Sequence, residues 1–169
     1  MMPYVNLILL ALLVVLQTTL MPAAALDSTK PFLPLLAVVC WGMLRGPVPG
    51  VWWALAAGLL LDLVSPIPTL FYTLPLLVAA AVVAGGRGRL FPSNVLTPWL
   101  MTAIATVAFV VVQHALIPLT GGLAGWSAGQ LGREVVPQVA LNLLWLPVLY
   151  FPLRALARRV AGPRIEWEA

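Results

Sequence analysis

The 169-residue chain is 62% hydrophobic and only 8% charged, with a mean hydropathy of +1.04 and a net charge of +4. A soluble domain carries about 25% charged residues, and one of this length could not hide so much apolar side chain, so the composition excludes a water-soluble protein and predicts an all-α integral membrane protein. Sixteen prolines and thirteen glycines fit that class, because neighbouring helices in a membrane re-satisfy the backbone groups such residues free.

The first apolar run, about 4–26, reads as a spanning helix. Ala23-Ala24-Ala25 resembles a signal-peptide cleavage site, but Met1–Asn6 carries no Lys or Arg, so the basic segment of a signal peptide is missing. Gln17-Thr18-Thr19 forms a polar cluster near its end, and Asp27-Ser28-Thr29-Lys30 a turn. The second run, about 32–44, is short against the roughly 20 residues a span needs. It reads as a span in which Arg45 reaches the headgroups, with a re-entrant hairpin as the competing arrangement. Its Cys40 is the sole cysteine and reads as a plain core residue.

The third run, about 48–64, carries the densest pattern. Gly50, Ala54, Gly58 and Asp62 recur every fourth residue and so form one ridge on a helix. The three small residues open a groove for close approach of another helix, from this chain or from a partner. Asp62 is an ionisable group in an apolar run and should face protein rather than lipid. Ser65-Pro66-Ile67-Pro68 ends the helix, and Trp52 and Trp53 suit an interface. The fourth run, about 69–84, is expected to kink at Pro75. Gly85-Gly86-Arg87-Gly88-Arg89 follows; with no Gly-Lys-Ser/Thr and no preceding strand it is a basic loop and not a phosphate loop.

The fifth run, about 95–119, contains Gln113 and His114, and a glycine-rich connection from Thr120 to Gly132 holding Trp126 is expected at the interface. The sixth, about 135–153, places Gln138 and Asn142 on one face. A short basic tail, 154–169, carries Arg154, Arg158, Arg159 and Arg164. Six spans put both termini on one side together with Arg45, Arg87, Arg89 and the tail arginines, leaving Lys30 and Arg133 opposite. The positive-inside rule then makes the termini cytoplasmic. The arginines read as orientation signals and contacts to membrane lipids, not as a nucleic-acid surface.

Catalytic parts are few. His114 is the only histidine and has no cysteine partner nearby, so no metal site is expected. Asp62 is the only acid well within a span, since Glu134 sits at a helix edge beside Arg133, and no serine lies in a Gly-x-Ser-x-Gly setting. Neither an enzyme nor a cofactor is expected. Gln17, Gln113, His114, Gln138 and Asn142 instead suit hydrogen bonds between helices, as internal glue, a docking face or a small-ligand pocket.

Two blocks carry a resemblance: Leu16-Gln17-Thr18-Thr19-Leu20, and Gly58-Leu59-Leu60-Leu61-Asp62-Leu63-Val64-Ser65-Pro66. On them the chain resembles the bacterial rod shape-determining MreD family over about residues 1–160. It departs where the family usually has a glycine after the Ser-Pro block and this chain has Pro68-Thr69-Leu70. The resemblance implies a non-enzymatic scaffold of the cell-elongation machinery in the bacterial inner membrane that binds MreC and works with MreB, RodA and a penicillin-binding transpeptidase to shape cells and regulate peptidoglycan synthesis; a homo-oligomer is a further reading of its partners. It also implies a fold similar to the substrate-binding subunits of energy-coupling factor transporters, which gives the alternative of a vitamin-binding membrane subunit. Those subunits typically carry an Ala-x-x-x-Ala pair in the first span, and here Ala11 is followed four residues later by Val15.

Overall fold

In the computed structural model, which describes residues 3–19, 29–66, 70–86, 96–120 and 128–160, two helices meet at the single residue Gly46. This residue ends helix α2 (Leu33–Arg45) and begins α3 (Pro47–Val64). Its φ of 113° with ψ of 174° is open to glycine and disfavoured for residues with a Cβ. The two helices fold back on each other there. Trp41 stacks on Trp53 with ring centroids 4.4 Å apart, and a Cβ on Gly50 would lie 2.8 Å from the Gly42 Cα. The backbones therefore touch, which side chains at either position would prevent.

Helix α1 (Pro3–Thr19) precedes this hairpin; α4 (Thr73–Gly86), α5 (Thr97–Leu116) with a 3₁₀ turn at Ile117–Thr120, and α6 (Ala128–Val160) follow. Among the described residues all of these elements are helical, and the architecture is that of an all-α membrane protein. Among the described residues, three helical segments can cross a membrane by length and composition: Pro47–Val64, Thr97–Leu116 and Leu131–Arg159. The other apolar helices are shorter.

The organising element is α2, not the small-residue ridge of α3. Every residue from Leu33 to Gly42 is buried, and α2 packs against each of the other α-helices. Its sequence is apolar on all sides, as a helix with no lipid or water face should be. The ridge of α3 is one of the surfaces it receives: Gly50, Trp53, Ala54, Ala57, Gly58, Leu61 and Asp62 are buried on a single face. The opposite face carries Trp52 (65% exposed) and Leu63 (82% exposed).

Some element boundaries differ from the sequence reading. Helix α4 begins at Thr73, after a turn through residues 70–72, so Pro75 lies in its first turn. There a proline lacks only an amide that has no partner within the helix, and no kink is needed. Helix α6 spans 33 residues and contains Pro137, Pro147 and Pro152. It takes in residues 128–134, expected in a connection, and residues 154–160, expected in a tail. Arg87, Arg89, Trp126 and Arg164 lie outside the described residues.

A candidate site built from capped helix ends

Consecutive helices alternate in direction, so the C-terminal ends of α1, α3 and α5 share one end of the bundle with the N-termini of α2, α4 and α6. The ring of Phe32, before α2, stacks on that of Tyr72, before α4, at 6.1 Å, and lies tilted against that of Phe109 of α5 at 4.7 Å. The first amides of a helix have no partner within it. At a buried end in a membrane, water cannot supply one. In this protein other helices supply it with side chains.

Asp62, near the end of α3, does so for α4. Its Oδ2 accepts hydrogen bonds from the Leu70 amide at 2.8 Å, the Thr73 amide at 3.3 Å and the Thr73 hydroxyl at 2.6 Å, and its Oδ1 accepts from the Tyr72 amide at 2.8 Å. A carboxylate here also meets the positive end of the α4 dipole. The Ser65-Pro66 pair lies where α3 ends, just beyond this carboxylate. The Ser65 amide donates to Leu61 O at 2.9 Å and closes α3, and Pro66 follows in a bend.

The turn stores strain at one residue. Leu70 has φ of 79°, a left-handed conformation costing a side chain about 1–2 kcal/mol. A glycine would adopt it freely. Leu70 is 46% exposed, so little packing rests on its side chain. Leu70→Gly should keep the amide bond to Asp62 and raise stability by up to about 1 kcal/mol, read as a higher unfolding midpoint in detergent.

The N-terminus of α2 is held from two sides. The Leu33 amide donates to Gln17 Oε1 of α1 at 2.8 Å, and the Phe32 amide to Asn142 Oδ1 of α6 at 2.9 Å. Gln138, one turn before Asn142, donates through Nε2 to the Lys30 carbonyl at 2.9 Å. Pro31 and Pro34, which flank these residues, have no amide to satisfy. Asn142 is fully buried; its Nδ2 donates to Thr106 Oγ1 at 3.1 Å, and that hydroxyl donates to Thr102 O at 2.7 Å. One asparagine thus ties α2, α5 and α6 together. Asn142→Leu strands the Phe32 amide, for an expected loss of about 1–3 kcal/mol, measurable by thermal unfolding of the purified protein.

The remaining polar residues divide. Thr18 and Thr19 face outward and return their hydroxyls to the carbonyls of Val14 and Val15, which satisfies them without a partner helix. His114 places Nδ1 2.9 Å from the Val110 carbonyl and Nε2 2.9 Å from Glu134 Oε2, joining α5 to α6. Gln113 lies half-buried beside it and takes no part in these bonds. Two buried side-chain atoms among the described residues have no hydrogen-bond partner, Gln17 Nε2 and Thr102 Oγ1.

The ridge on α3 is occupied from within the chain. Gly50 meets Gly42 of α2. A Cβ on Gly58 would lie 2.5 Å from Thr73 Cα and 2.8 Å from its hydroxyl, so α4 is seated directly on that glycine, and Ala54 between them is fully buried. The possibility that a foreign helix fills this groove gives way to internal packing. Four arginines gather at the other end of the bundle: Arg45 in the last turn of α2, and Arg154, Arg158 and Arg159 on the last turns of α6.

A family model described as rod shape-determining protein MreD matches residues 1–160. The chain belongs to the MreD family. Both blocks that suggested it are therefore structural in this member of the family: Gln17 holds the start of α2, and Gly58 with Asp62 holds the start of α4. Membership assigns the chain a part in rod shape determination. Neither a curated protein nor a solved structure matches it.

Proposed function

We propose that this MreD family member is a non-enzymatic scaffold of the cell-elongation machinery that binds MreC and, through it, helps to set where peptidoglycan is made. The observation that carries this reading is the use of the inward polar groups. Gln17, Asp62 and Asn142 are bonded to backbone amides at helix starts, and groups committed in this way hold a shape. Membership over residues 1–160 supports the same role. With the α3 ridge filled internally, MreC is taken on an outer face of the bundle.

In this reading all six helices cross the inner membrane with both termini in the cytoplasm. The separation of Arg45, Arg154, Arg158 and Arg159 from Lys30 and Arg133 supports that orientation. Cysteines at Ser28 and Ser127, in a Cys40→Ser background, should react with an impermeant thiol reagent added outside cells, and cysteines in the C-terminal tail should not. The functional test is paired. Depletion of the protein should turn rods into spheres, and tagged protein extracted in mild detergent should bring down MreC. Rods that persist without it, or a pull-down free of MreC, would refute the proposal.

A further inference from the structure

The basic end of α6 continues a face that is apolar and open. Leu144, Val148 and Phe151 are each more than 60% exposed and lie at helical spacing on one side. Arg154 and Arg158 follow at the same spacing, with Arg159 beside them, and all three are exposed. Leu153 and Ala157 are buried, which fixes the rotation of the helix and turns the arginines outward. The uncharged stretch 135–153 is about 28 Å long as a helix, close to the roughly 30 Å hydrocarbon core. Its end therefore sets these guanidinium groups at headgroup level.

Arg45 joins them. Helices α2 and α6 run parallel, in the register fixed by the bonds of Gln138 to Lys30 and Asn142 to Phe32. Carried along both helices, that register brings the last turn of α2 level with the turn from Arg154 to Arg158. Among the described residues none of these four arginines has a carboxylate partner; the ion pair there joins His114 to Glu134 at the opposite end. Trp52 at the start of α3 and Trp99 at the start of α5 are exposed at the arginine end, where interfacial indoles settle.

We propose that this face is a binding site for an anionic phospholipid, with acyl chains along Leu144, Val148 and Phe151 and the headgroup phosphate held by Arg154, Arg158 and Arg159, with Arg45 adjacent. The order of groups along the helix, apolar and then cationic, is that of the lipid itself. Guanidinium groups offer paired donors that suit phosphate oxygens. A free phosphate ion would use the arginines and leave the apolar stripe idle.

The test uses the purified full-length protein, with lipid retention read by native mass spectrometry and stability by thermal unfolding. Phosphatidylglycerol should be retained at least about tenfold better than phosphatidylcholine, and each arginine replaced by glutamine should cost about fivefold of that preference. The triple variant Arg154→Gln/Arg158→Gln/Arg159→Gln should keep its unfolding midpoint in detergent and lose the selectivity, whereas Lys30→Gln, at the other end, should keep it. If the triple variant does not fold, Arg158→Gln alone must still lower the preference. Equal retention of both lipids by the wild type, or undiminished selectivity in a folded arginine variant, overturns the proposal. Displacement of phosphatidylglycerol by inorganic phosphate alone overturns it in favour of a free-anion site.

Discussion

Replacing Asp62 with leucine should be among the most damaging single changes in this protein, lowering stability by about 3–5 kcal/mol. The carboxylate is 7% exposed and accepts from three amides and one hydroxyl. Leucine fills similar space and supplies no acceptor. The Leu70 and Tyr72 amides would then be left at a partly buried helix start, and the end of the α4 dipole would lose its counter-charge. Thr73 could turn its hydroxyl elsewhere, but its amide could not follow. Asp62→Asn separates charge from shape. One oxygen remains to accept, while the new NH₂ faces donors, so the expected loss is smaller, about 1.5–3 kcal/mol. The measurement is the unfolding midpoint of the detergent-purified protein, with both variants beside Leu70→Gly. Wild-type stability in Asp62→Leu would show that the α4 start does not depend on this cap.

The sequence carried the α3 pattern openly because a four-residue repeat of small side chains survives in any helix geometry. It also marked Asp62 as inward, since an ionisable group in an apolar run has nowhere else to go. What Asp62 binds was not legible. Three of its four partners are backbone amides, which every residue but proline has, and no residue type announces them. The same holds for Gln17 and Asn142, legible as interhelical donors and acceptors but not as caps. The centrality of α2 was hidden by its length: 13 residues read as a weak span, although a run apolar on every side is the signature of a fully surrounded helix. In the sequence Arg133-Glu134 and Arg154 bound the sixth apolar run, while the helix itself runs Ala128–Val160. Charged residues stop a hydrocarbon crossing without stopping a helix, and here the backbone continues past both. Pro75 misled in a related way, since the cost of a proline depends on its distance from the helix start.

Gly58→Leu should rival the Asp62 change, by a steric route instead of an electrostatic one. The nearest atom to a Cβ at this position is the Thr73 Cα, at 2.5 Å, and backbone cannot rotate away as a flexible side chain can. Any side chain must therefore push α3 and α4 apart. That displacement also pulls Asp62, one turn further on, from the amides it caps, so packing and polar terms fail together and their costs are not additive. Gly58→Ala should already lose about 1–3 kcal/mol, and Gly58→Leu should leave too little folded protein to purify as a monodisperse species. Gly85 on α4 supplies the contrast, because a Cβ there meets nothing within 4 Å. Gly85→Ala should be neutral or gain up to about 1 kcal/mol through helix propensity. Co-purification of MreC decides what the ridge is for. If Gly58→Ala lowers the unfolding midpoint while the surviving folded fraction still captures MreC, the ridge serves the fold. If the midpoint is unchanged and capture is lost, α4 does not rest on Gly58 and the groove belongs to the partner.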